Sequence, residues 1–158
     1  MDFFSSEEIV ASLGDKAKMK GKLSFVRLCI LGIMAGFCIA LGYLAFIRIT
    51  GTAPTEWGSF NNFLGGALFP VGLIALTFVG GELATGNMMV MTLGVLQKKV
   101  RVGTLCYNWL VVLLTNCLGG FLVAYLFGHI VGLTEGAFLD KTVAVAQAKI
   151  ADPPLVAF

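Results

Sequence analysis

The chain has 158 residues, 58% of them hydrophobic and 13% charged, with a mean hydropathy of +0.90 and a formal net charge of +2. A soluble domain carries ~25% charged residues, and no soluble core of this size hides so much apolar surface. The composition excludes a water-soluble globular protein and predicts an all-α protein whose solvent is largely lipid.

Residues 1–22 predict an amphipathic helix. Ser5 or Ser6 caps it, Glu7 and Glu8 occupy the first turn, and Ile9, Val10 and Leu13 form an apolar stripe. Lys16, Lys18, Lys20 and Lys22 follow, so the segment is either a solvated tether or a helix lying on lipid headgroups. Residues 24–49 predict the first membrane span, built on twenty uncharged residues from Leu28 to Ile47 between Arg27 and Arg48. Gly32, Gly36 and Ala40 recur every fourth residue and give that span a face another helix approaches closely. Gly51, Pro54 and Trp57 then mark an outer loop with an interfacial aromatic.

The next apolar stretch, residues 60–97, is too long for one crossing of ~20 residues and too short for two with a turn. Its middle, Gly80-Gly81-Glu82-Leu83-Ala84-Thr85-Gly86-Asn87, resists helix: each Gly costs ~1 kcal/mol relative to Ala, and Thr and Asn prefer caps and turns. The stretch predicts one crossing broken by a loop over 80–87 and resumed as a half-helix from near Met88 to Leu96. Gly81 and Gly86 supply conformational freedom there. Glu82, the only ionisable side chain between Asn62 and Gln97, is expected to accept hydrogen bonds from loop amides as a clamp, with Asn87 beside it. Non-helical backbone at membrane depth survives only where protein buries it or water lines it, so the break is a pore or binding-site candidate. Upstream, Phe69 and Leu73 lie one helical turn apart beside Pro70; the pair either faces lipid and neighbouring helices or narrows a pore.

Residues 104–128 predict the third span, with Asn108 and Asn116 eight residues apart near one face, suited to bond the free backbone of the break. His129 closes it as a surface residue. Cys29, Cys38, Cys106 and Cys117 sit in apolar runs without Cys-x-x-Cys spacing and read as packing residues, so no metal is expected. Eight Lys and Arg residues flank one side of the spans and three the other, which predicts a cytoplasmic N-terminus in a multi-pass membrane protein. Asp152-Pro153-Pro154 reads as a helix start, so 153–158 are expected to open a fourth span. The chain is then either three spans with a tail or the front half of a longer protein.

Gly-Glu-Leu-Ala-Thr-Gly-Asn at 81–87, together with Phe69-Pro70, Asn108-Trp109, Asn116 and Lys149, resembles the formate/nitrite transporter family. The resemblance implies six spans in two inverted repeats, an aquaporin-like bundle of which this chain holds the first repeat with its broken second span. It also implies a homo-pentamer with one pore per protomer and a C-terminal half that completes each pore. It places Phe69, Leu73, Leu83, Ala84 and Thr85 along the pore, and makes Lys149 an anion-gathering charge at the mouth. Several formate-type members carry Phe at the position of Ala84, which leans the reading toward hydrosulfide. The expected activity is a channel for a small monovalent anion (hydrosulfide, formate or nitrite) in the lipid bilayer, with no cofactor and no nucleic-acid partner. A non-transporting membrane interaction subunit is the alternative. A membrane enzyme is disfavoured, since the sequence has one His and no close carboxylate or His/Cys cluster.

Overall fold

The computed structural model describes residues 4–151 and 153. The expected cap at Asp152 and most of the expected fourth-span start at 153–158 lie outside the described residues. Seven α-helices occur among the described residues: α1 (Ser6–Lys20), α2 (Phe25–Thr50), α3 (Ser59–Leu68), α4 (Pro70–Val79), α5 (Ala84–Leu96), α6 (Val102–Val123) and α7 (Leu139–Ala151). No strand occurs among them. Phe25–Thr50, the kinked pair Ser59–Val79 and Val102–Ile130 are each long and apolar enough to cross a membrane, at 26, 21 and 29 residues. The protein is an all-α, multi-pass membrane protein.

Two compact units share these helices: residues 1–36 with 78–119, and residues 37–77 with 120–158. In the first unit α1 begins with a reciprocal cap. Ser5 Oγ accepts from the Glu8 amide at 3.3 Å, while Glu8 accepts from the Ser5 amide at 2.7 Å. The helix then docks on α5. Ala17 is buried with Val90, Met91 and Leu105, and Gln97 and Lys99 donate to the carbonyls of Val10 and Ala11. Lys99 also reaches Asp15 at 2.7 Å, and this hydrogen bond and charge hold the Asp15 carboxyl below the usual range. Neither expected reading, tether or headgroup helix, included this packing on protein along the Gly14–Ala17 edge. Farther along, α2 meets α6 where a Cβ on Gly36 would run into the backbone of Asn116, which accounts for the small-residue face.

In the second unit, α2 crosses α4 at Gly42 and Gly72; a Cβ on Gly42 would lie 2.6 Å from the Phe69 carbonyl oxygen. Pro70 has no amide hydrogen, so the helix breaks its pattern at Phe69 and continues as α4. The third span runs past its expected end, through a π-helical turn over Ala124–Ile130. The helix α7 was not evident from sequence; its first turn is anchored by Thr142 Oγ1 donating to the Phe138 carbonyl.

Candidate functional site

The break between α4 and α5 is shorter than its sequence suggests. Only residues 80–83 are non-helical, and α5 begins at Ala84 rather than near Met88. The first turn of a helix needs no intrahelical amide partners, so Thr85 and Gly86 enter it at little cost. Gly80 takes a positive φ of 69° and makes the turn out of α4. Gly86 sits in helix with open space around its Cα, so it is not the hinge expected of it. Gly81 is half-buried.

Asn116 of α6 holds the break from one side. Its Nδ2 donates to the carbonyls of Gly32 and Glu82, both at 2.9 Å, and its Oδ1 accepts from the Ala84 amide at 2.9 Å. The Glu82 amide donates to Leu31 in α2 at 3.1 Å. Three backbone groups of the break, the amide and carbonyl of Glu82 and the amide of Ala84, are thereby paired within the protein, as membrane depth requires.

The Glu82 side chain is buried, and its partners differ from those expected. Oε2 accepts from Lys20 Nζ at 2.6 Å and from Asn87 Nδ2 at 2.7 Å, not from loop amides. Lys20 also donates to Asn87 Oδ1 at 2.9 Å, closing a triangle, and Asn87 Nδ2 passes a further bond to Asn108 Oδ1 at 2.8 Å. The carboxylate is therefore matched by one ammonium and one amide, and Asn108 stands behind that amide. Lys20 is the functional residue that sequence reasoning missed. Its place one turn before the first span, among three other lysines, reads as a headgroup contact, and nothing local couples it to a residue 62 positions away.

Around this core Leu83 is half-buried, Thr85 is exposed, and Ala84 is buried against Leu28, Val111 and Val112. Phe69 and Leu73 belong to the second unit, where Leu73 is exposed and Phe69 meets Tyr43 edge to face at 5.4 Å. An open cleft of about 410 Å³ there brings Phe69 together with Lys149, flanked by Phe46 and the bare backbone of Gly65 and Gly66. His129 is at the surface and lies 2.9 Å from Glu135. No cluster of three metal-ligating side chains occurs among the described residues, and all four cysteines are free.

The formate/nitrite transporter family matches residues 7–158. The chain belongs to that family. Among its relatives, the uncharacterized transporter YrhG of Bacillus subtilis is 46% identical over 151 residues, covering 95% of this chain and 57% of that protein. The formate channel BtFdhC of Bacillus thuringiensis is 42% identical over 150 residues, covering 95% and 58%. The formate channel FocA of Haemophilus influenzae is 33% identical over 138 residues, covering 85% and 46%. The chain thus spans little more than half the length of its two most similar relatives named here. The matched region takes in nearly all of both units.

Proposed function

We propose that the chain forms the first repeat of a channel for small monovalent anions, with the break before α5 as its selective element. The observation that carries this reading is the ion pair between Lys20 and Glu82. A bare carboxylate at the break would repel an anion; paired at 2.6 Å with Lys20, it leaves the start of α5 as the electrostatic feature an anion meets. The amides of Thr85 and Gly86 have no partner among the described residues and suit a passing anion, with the exposed Thr85 hydroxyl as a further donor. Leu83 at the break, and Phe69 with Leu73 in the second unit, each offer a narrow apolar surface that hydrated ions cross poorly. Lys149 raises the local anion concentration beside Phe69.

Formate leads among the anions, because the relative at 42% identity is a formate channel. The lean toward hydrosulfide rested on a small residue at 84, and the inward packing of Ala84 weakens it. In this reading α1 faces the cytoplasm, an inverted second repeat completes the pore, and five protomers assemble. The experiment is formate uptake into proteoliposomes containing the full-length polypeptide. Thr85→Val and Lys149→Ala should each lower the flux several-fold, Lys149→Ala most at low salt, where a mouth charge is least screened. Flux at the level of empty liposomes in the unmutated protein would instead favour a non-transporting interaction subunit.

A further inference from the structure

The first unit holds a second polar feature, distinct from the clamp on the break. Where α1 turns into α2, an open cleft of about 600 Å³ is lined by Lys16, Lys20, Lys22 and Arg27, with Glu82 at its inner end. Glu82 is committed to Lys20. Lys16, Lys22 and Arg27 have neither hydrogen bond nor ion pair among the described residues, so three positive charges converge uncompensated on one cleft.

The walls of the cleft are of a different kind. Leu23 and Leu31 line it, and Ile30 lies one turn beyond Arg27 on the same helix, 56% exposed, next to exposed Val26. These apolar side chains belong to a span that starts at Phe25, so the cationic cleft sits at the level where headgroups meet hydrocarbon. A small free anion would use only the charges. A ligand that uses both features has a phosphate at one end and acyl chains at the other. Basic pockets beside membrane helices recognise such headgroups, each Lys or Arg near an anionic surface contributing ~1 kcal/mol.

We propose that the cleft between the end of α1 and the start of α2 binds the phosphate of an anionic phospholipid, held by Lys16, Lys22 and Arg27, with its chains along Val26, Ile30 and Leu31. The bound lipid ties α1 to the membrane surface while the other edge of α1 is packed on α5. This site does not depend on which anion is transported, or on whether any is.

The test is lipid retention by the purified full-length protein, read by native mass spectrometry and thermal denaturation in detergent. Phosphatidylglycerol, phosphatidylcholine and inorganic phosphate are added separately. Phosphatidylglycerol should be retained and should raise the midpoint, whereas phosphatidylcholine and inorganic phosphate should do neither. The variant Lys16→Gln/Lys22→Gln/Arg27→Gln should bind phosphatidylglycerol roughly 100-fold more weakly, at ~1 kcal/mol per charge. Removing three charges elsewhere, as Lys18→Gln/Lys98→Gln/Lys141→Gln, should leave retention intact. If the first variant does not fold, Arg27→Gln alone should weaken retention roughly fivefold. Equal retention by the cleft variant, or by Arg27→Gln where that is the one that folds, overturns the site. Equal retention of phosphatidylcholine by the unmutated protein overturns the charge argument. Stabilisation by inorganic phosphate equal to that by phosphatidylglycerol would make the cleft a free-phosphate site and overturn the lipid assignment.

Discussion

The two compact units solve the same problem, packing apolar helices closely, with opposite chemistry. The first interrupts a helix and must satisfy what the interruption frees, so Asn116, Asn87, Asn108, Lys20 and Glu82 are tied together in its interior. The second keeps its helices nearly continuous and brings backbones together through bare glycines, Gly42 against Gly72, with aromatic edges filling the rest. Its one charged candidate, Lys149, is exposed and makes no side-chain bond among the described residues. The difference teaches where a substitution is costly: in the first unit by stranding a polar partner, in the second by adding volume.

The comparison breaks most readily at Glu82. Glu82→Ala strands Lys20 and Asn87 in a buried setting and should cost about 3 kcal/mol, read as a lowered thermal midpoint in detergent; Glu82→Gln, which keeps an acceptor, should cost less. A midpoint for Glu82→Ala equal to that of the unmutated protein would remove the contrast. In the second unit Gly72→Val meets the Cys38 carbonyl and the Gly42 backbone, and overpacking of this kind should cost about 2 kcal/mol. If Gly72→Val is neutral, α2 and α4 are not held by backbone proximity.

Smaller effects sharpen the picture of the break. Gly80→Ala forces a side chain into a positive φ and should destabilise by about 1 kcal/mol. Gly86→Ala, in helix with open space around it, should change sign and stabilise by up to about 1 kcal/mol. The pair of midpoints decides whether residue 86 is loop or helix. Smallest is the pH dependence of α1 docking. The hydrogen bond and charge of Lys99 hold Asp15 below its ordinary value. Its contribution is therefore present above the unfolded carboxylate pKa of about 3.9 and lost as pH falls through the lowered folded value. Hydrogen exchange of α1 should be flat from neutral pH to about 5 once the intrinsic rate is removed, and faster in the acid range. Asp15→Asn should remove part of that dependence, the rest coming from Glu8, whose carboxyl the Ser5 amide also holds low.

Much of this was legible in the sequence because membrane segments announce themselves by length and charge alone. Leu28–Ile47 and Leu105–Phe127 lie inside helices within a few residues of the expected bounds. The break was legible too, since Gly80, Glu82 and Asn87 in an apolar run have few other uses; Asn116 bonds its backbone as expected, whereas Asn108 meets the Asn87 side chain instead. The helix restart at Ala84 was hidden because Thr85 and Asn87, poor in helix interiors, are acceptable in a first turn whose amides are free or bound elsewhere. The partner of Glu82 was hidden because pairing across 62 residues is decided by the docking of α1 on α5, which no local pattern encodes. The helix α7 was hidden because residues 139–151 mix Ala, Val, Lys and Gln without the apolar length of a span.

The central claim is that Lys20 and Glu82 act as one unit that neutralises and holds the break. A double-mutant cycle tests it, using Lys20→Met, Glu82→Gln and the pair, with stability measured in detergent. Each single change leaves one member of the pair without its counter-charge or donor, while the double change removes both charges together. The account predicts that the double variant is less destabilised than the sum of the singles by at least about 1 kcal/mol. Singles that simply add would contradict it, leaving Lys20 a surface lysine and Glu82 held by Asn87 alone.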